Sequence, residues 1–160
     1  MNVMATAMYF RFEEDFVEEG IRCIPMIVRF KLDRCGIKLK LAEWSRMNER
    51  ERQYLAEQPC ESKDDVLVYR SWLQRTVFER TGSQATNLQV DQCPLWANDS
   101  IPVVVREKLS DIHAGLSDIQ WRAFTDLQRF ALVKLSRPGH ENRNFPLALK
   151  EFLVDTDDDE

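Results

Sequence analysis

Two short stretches hold more chemically capable side chains than packing requires. The first is Arg22-Cys23-Ile24-Pro25, which leads into Arg29 and Arg34. The second, Lys134 to Phe145, crowds Arg137, Pro138, Gly139, His140, Glu141, Asn142, Arg143 and Asn144 between two predicted helices. Arginine, histidine and carboxylate side by side suit charge-assisted contacts to a partner, and a Pro-Gly turn presents them on a fixed loop. Arg22, Arg137, His140 and Glu141 are therefore the candidate partner-binding residues. The same loop also reads as a helix stop followed by an Asn cap, with no function beyond that. Arg29 and Arg52 recur as Arg106 and Arg129, and ion pairing with carboxylates across helix faces is their simplest expected role.

Catalytic chemistry finds few footholds. The sequence has no Gly-rich phosphate loop, no His-x-x-x-His, no Gly-x-Ser-x-Gly and no Gly-x-Gly-x-x-Gly. His113 and His140 are the only histidines. A nucleophilic Cys–His pair such as Cys23 with His140 would depend on the fold to bring them together. Cys23, Cys35, Cys60 and Cys93 are widely spaced and form no Cys-x-x-Cys. They read as buried thiols in a reducing compartment rather than as ligands of zinc or an iron–sulfur cluster. No catalytic residue, metal site or cofactor is expected.

The charge balance points the same way. Against 22 Lys and Arg stand 27 Asp and Glu, a net charge of −5 at pH 7, which disfavours a nucleic-acid or anionic-membrane surface. Much of it sits in the final run 155–160, which reads as a disordered acidic tail. No apolar run approaches the roughly 20 residues that span a bilayer. Met1 to Phe12 lacks the basic and apolar regions of a signal peptide, and residues 1–6 are expected to be disordered. The expected location is the cytoplasm, with no membrane contact; the sequence leaves the oligomeric state unknown.

The elements that must position these residues come from an internal duplication. A shift of 77 residues lays 24–55 on 101–132 without a gap and yields ten identities, among them Pro25/Pro102, Arg29/Arg106, Trp44/Trp121 and Arg52/Arg129. The first copy alone is ambiguous, because Val28-Arg29-Phe30-Lys31-Leu32 alternates like a strand. The second copy puts Glu107 where the first has Phe30, and the positions apolar in both, 24, 27, 28, 32 and 35, have helical spacing. Pro25 and Pro102 then fall at the first turn, and Gly36 and Gly115 supply left-handed stops.

Each copy continues with a short helix carrying its tryptophan and a third helix carrying Arg52 or Arg129. Capping boxes start these helices at Asn48-Glu49-Arg50-Glu51, Ser117-Asp118-Ile119-Gln120 and Thr125-Asp126-Leu127-Gln128. A further box at Ser62-Lys63-Asp64-Asp65 opens a helix over 64–80, with Leu67, Trp72, Leu73, Val77 and Phe78 along its apolar face. Its shorter counterpart runs over 145–154 behind Asn144. Between the copies, 82–100 reads as an ordered connector anchored by Leu95 and Trp96. The expected architecture is mainly α: two pseudo-symmetric helical repeats, about eight helices in all, packed as one domain over 1–154 and built from 24–80 and 101–154, with short extended segments near 8–12 and 86–90. Trp44 and Trp121 are expected in equivalent buried places.

Two stretches carry a family resemblance. Phe16-Val17 with Arg22-Cys23-Ile24-Pro25-Met26-Ile27-Val28-Arg29-Phe30-Lys31-Leu32-Asp33-Arg34-Cys35-Gly36-Ile37-Lys38-Leu39, through Trp44, resembles the nitrate reductase-associated protein family. So does Gln128-Arg129-Phe130-Ala131-Leu132-Val133-Lys134-Leu135-Ser136-Arg137-Pro138-Gly139-His140-Glu141, with Asn144-Phe145 and Glu151-Phe152. The resemblance implies a small accessory or maturation protein, found mainly in cyanobacteria, that supports the assimilatory molybdenum enzyme nitrate reductase by binding it. It carries no established catalytic residues to this chain. Two other readings stay open at this point: an enzyme acting on a pterin or nucleotide, and a signalling adaptor for nitrogen status.

Overall fold

A computed structural model describes residues 9–158, leaving aside the side chains at 140, 141, 157 and 158. The chain is mainly helical and divides into two compact units, Met1–Asp91 and Gln92–Glu160. Unit 1 contains α1 (Glu14–Glu18), α2 (Met26–Cys35), β1 (Ile37–Lys38), α3 (Leu41–Arg46), α4 (Glu49–Glu57), α5 (Lys63–Thr81) and β2 (Thr86–Asn87). Unit 2 contains α6 (Val103–Asp111), α7 (Asp118–Ala123), α8 (Asp126–Ser136) and α9 (Phe145–Asp158). Single 3-10 turns occupy Arg11–Glu13, Leu95–Ala97 and His140–Asn144.

The segment that alternates like a strand is helix α2, and its buried residues Met26, Val28, Leu32 and Cys35 keep the helical period. Pro25 and Pro102 sit one residue earlier than expected, as the caps of α2 and α6. Their carbonyls accept from Val28 and Arg29, and from Val105 and Arg106, so the missing proline N–H lies outside the helical ladder. Asn48, Ser62, Ser117 and Thr125 cap α4, α5, α7 and α8 with their side chains. Each accepts from the backbone N–H three residues on, as the capping boxes require.

In unit 1 the core gathers Val28, Leu32, Ile37, Trp44, Leu55, Tyr69, Leu73 and Val77. In unit 2, α8 is the central element: Leu127, Phe130, Leu132 and Leu135 are buried, together with Trp121, Phe145 and Phe152. Trp44 and Trp121 are both fully buried, a position whose loss typically costs a few kcal/mol. The two-residue strands pair antiparallel, Ile37 opposite Asn87 and Lys38 opposite Thr86, and Leu88 N donates to Gly36 O at 2.8 Å.

Several local expectations are corrected. Phe10 is extended, but Arg11–Glu13 closes into a 3-10 turn because the buried Glu13 carboxylate accepts from Phe10 N at 3.1 Å and from Met26 N at 2.8 Å. One side chain thus ends the extended run and caps α2. Gly36 is left-handed at the end of α2, as expected, but Gly115 is not the second stop. His113, at φ +55°, takes that conformation after α6. Helix α9 runs on to Asp158 instead of ending at Val154, so 155–158 is helical rather than disordered tail, and Thr156 Oγ1 donates to Phe152 O at 2.8 Å. A charge run forbids burial but not helix, once a buried turn has nucleated it. The expectation for residues 1–6 lies outside the described residues.

Candidate functional site

The recurring arginines do a structural job that their charge alone does not reveal. A short helix ends with carbonyls that lack helical partners. In unit 1, Arg52 donates to Trp44 O at 3.2 Å and to Ser45 O at 3.3 Å, at the end of α3, and to Gly20 O at 2.9 Å in the preceding loop. In unit 2, Arg129 donates to Trp121 O at 3.1 Å and Arg122 O at 3.0 Å, at the end of α7, and to Trp96 O and Asn98 O, both at 3.4 Å. The tryptophans complete the clamp. Trp44 Nε1 donates to Ile21 O and Trp121 Nε1 to Asn98 O, each at 2.8 Å, and each guanidinium lies over its indole, at 5.9 and 5.5 Å from the ring centroids. Carboxylate pairing was the expected role of Arg52 and Arg129. Carbonyls take its place because a planar fork of donors suits several neighbouring acceptors at once, with the favourable helix dipole added. Arg29 and Arg106 fold back onto Ile24 O and Ile101 O at 2.9 and 3.0 Å, and Arg106 also pairs with Asp118 at 3.3 Å.

The four candidate binding residues divide between the units. Arg22 is exposed in unit 1 and pairs with Glu19 at 2.8 Å. Arg137 is exposed in unit 2 as the residue that ends α8. His140 and Glu141 begin the 3-10 turn that follows, and their side chains lie outside the described set.

The cysteines depart from the expectation of four buried thiols: Cys93 is exposed and Cys23 half-buried. Cys35 and Cys60 are buried at the end of α2, where their thiols donate to the neighbouring carbonyls Leu32 O at 3.6 Å and Lys31 O at 3.7 Å. The Cys60 thiol beside it and burial together push Cys35 up. Cys60 is drawn down by the neighbouring Cys35 thiol and by the nearby cations of Lys31 and Arg34. Among the described residues no three His, Cys, Asp or Glu side chains gather as a metal would require.

A concave surface lies on α5. Its buried face is Tyr69, Leu73, Thr76 and Val77, so Leu67 and Phe78, expected on the core face, point outward and are 61% and 56% exposed. One groove of about 630 Å³ is lined by Leu67, Arg70, Gln74 and Phe78 together with Gln84 and Asn87. A second, of about 360 Å³, is lined by Tyr54, Val68, Trp72 and Arg75, with Tyr54 and Trp72 stacked at 4.1 Å. Reading the sequence missed this surface because α5 carries apolar residues on more than one face. The polar residues interleaved with Leu67 and Phe78 were the available signal.

Among the described residues, no helix is long and apolar enough to cross a membrane. The conserved nitrate reductase-associated protein family model matches residues 9–152. No curated protein and no solved structure matches the chain.

Proposed function

The chain belongs to the nitrate reductase-associated protein family, and on that premise we propose that it is a non-catalytic accessory factor that binds nitrate reductase and supports its maturation or activity in the cytoplasm. The observation that carries this reading is a family match across nearly the whole length, residues 9–152, which takes in both units. We read the two units as copies of one ancestral helical unit. Supporting that are the Arg–Trp clamp, the proline caps and the folded-back arginines, each repeated at a spacing of 77 residues. A scaffold of this kind offers surface rather than a reaction centre, and binding is the use that fits it.

Within that reading, the loop from Arg137 to Glu141 is one contact, with Arg22 an additional one on unit 1. In an acidic chain, exposed basic groups give direction to an otherwise repulsive face. The test is the double change Arg137→Ala with His140→Ala. It is expected to leave the melting temperature unchanged while weakening complementation of nitrate-dependent growth in a strain that lacks the native protein. Truncations at such a centre cost about 1–3 kcal/mol of binding. Normal growth with normal nitrate reductase activity removes the loop from the working surface. Failure of purified nitrate reductase to associate with the unaltered protein removes the accessory reading itself.

A further inference from the structure

We propose that the outer face of α5 is a second docking surface, which receives an amphipathic, acid-bearing helix of nitrate reductase. The inference rests on the accessory reading and adds a place and a chemistry to it. Leu67, Ser71 and Arg75 follow one another at four-residue spacing and form a ridge, with a groove on either side. That is the relief into which a partner helix packs, ridge to groove. Ser71, small and exposed at the middle of the ridge, lets a second backbone approach closely.

The larger groove is preformed. Its far wall, the segment around 84–87, is tied to α5 by a reciprocal pair: Ala85 N donates to Gln74 Oε1 at 2.8 Å and Gln74 Nε2 to Ala85 O at 3.0 Å. Arg70 ties the same wall through Asn87 while donating to Cys35 O at 2.8 Å and Gly36 O at 3.0 Å. The pairing of β1 with β2 holds it further. A wall fixed in advance spares a partner the cost of ordering it.

Charge selects the occupant. The chain carries more acidic than basic residues, 27 against 22, yet neither groove is lined by an Asp or Glu. Arg75 borders both grooves, is exposed, and makes no hydrogen bond or ion pair among the described residues. Leu67, Val68 and Phe78, 61%, 61% and 56% exposed, add apolar surface along the grooves it borders. An apolar helix flank with a carboxylate placed for Arg75 answers both features, whereas a basic or wholly apolar segment leaves Arg75 unanswered.

The experiment measures binding of purified nitrate reductase to the full-length protein and to three variants, Arg75→Glu, Phe78→Ser and Leu67→Ser. Circular dichroism and sedimentation accompany each. All three positions are exposed, so melting temperatures are expected to stay level. Affinity is expected to fall at least about tenfold for Arg75→Glu and for Phe78→Ser, and the binding of the unaltered protein to weaken with salt. Binding of all three variants within about twofold of the unaltered protein overturns this surface and leaves the accessory reading standing. No binding by the unaltered protein overturns both. A dimer of the protein that dissociates in the same variants overturns the assignment of the occupant, since a second copy then covers the face.

Discussion

Residues 20–57 of unit 1 and 97–136 of unit 2 solve the same packing problem with the same contacts, yet they differ at the residue that ends the first helix. Gly36 follows α2 at φ +75°, and His113, 77 residues on, follows α6 at φ +55°. Both are left-handed, a conformation in which a side chain is strained. The reason for glycine in unit 1 lies outside the helix. A Cβ on Gly36 would come within 2.8 Å of Leu88 O and 3.2 Å of Val90 Cγ2, because the segment after β2 crosses there. His113 is exposed, and its turn closes locally through His113 N to Ser110 O at 3.1 Å and Ala114 N to Leu109 O at 2.9 Å. The difference teaches that the clamp is the shared part of the scaffold, while the helix end is free to vary according to what lies over it. The segment that demands Gly36 continues directly from Asn87, which with Gln84 supplies one wall of the α5 groove.

The largest expected effect tests the shared part. Arg129 is buried, with 9% exposure, and holds four carbonyls, whereas Arg52 is half-buried and holds three. Trp121 O and Asn98 O keep Phe124 N and Trp121 Nε1, as Trp44 O keeps Met47 N. Removing the guanidinium therefore takes the charged donor chiefly from the remaining carbonyls, at about 1–3 kcal/mol for each one that water cannot reach. Arg129→Ala is expected to lose about 3 kcal/mol and Arg52→Ala about half of that, read from urea unfolding of the full chain. Lysine in place of either should recover little, since a single ammonium cannot span a fork of carbonyls. Equal losses, or a larger one for Arg52, would break the ranking by burial.

A middle-sized effect tests the part that varies. Gly36→Ala is expected to cost about 2 kcal/mol, from the strained φ together with the contact to Leu88 O. His113→Gly relieves strain but loosens the unfolded chain, so it is expected to change stability by under about 1 kcal/mol. Protection of the amide of Leu88, which donates to Gly36 O, should fall in Gly36→Ala and stay unchanged in His113→Gly. If Gly36→Ala is as mild as His113→Gly, the crossing segment yields freely and the preformed wall argued for the groove is lost with it.

The parts of this scaffold legible in the sequence were those written locally. The capping boxes, proline starts and helical spacing shared by 24–35 and 101–112 all operate within a few residues, and the family was recognisable from two continuous stretches. What escaped depends on partners far along the chain. Glu13 caps a helix 13 residues away, and Cys60 meets Cys35 from beyond the end of α4. The arginines were readable as charges, but the carbonyls they bind belong to helix ends and loops whose positions only the fold supplies. Helix α5 was found with its inward face partly right: Leu73 and Val77 are buried and Trp72 packs against the core, while Leu67 and Phe78 point outward. Its apolar residues surround the helix, so periodicity could not choose between Leu67 with Phe78 and Tyr69 with Thr76.

The smallest expected effect sharpens the comparison by pH. The residue that closes the capping box of α4 is Glu51, and its counterpart on α8 is Gln128. Burial alone would push the Glu51 carboxyl up, but hydrogen bonds from Arg80, the shortest at 2.8 Å, and from Asn48 N at 2.9 Å outweigh it and hold the carboxyl below its ordinary 4.5. A carboxyl lowered by folding contributes stability that is complete above its unfolded value and fades as pH falls through the folded one. Unit 1 therefore carries an acid-sensitive increment at this site. Gln128 makes the same backbone contact, to Thr125 N at 2.9 Å, without a titrating group. Glu51→Gln is expected to cost under about 1 kcal/mol at neutral pH, the usual worth of a partly exposed pair. Below 4.5 the gap between variant and parent should close, because the parent loses the increment and the variant has none to lose. Urea midpoints taken at neutral pH and on the acid side of that value check it. A gap that widens with acid would mean that Glu51 is held in its protonated form by the fold, which would reverse the sign assigned to its partnership with Arg80.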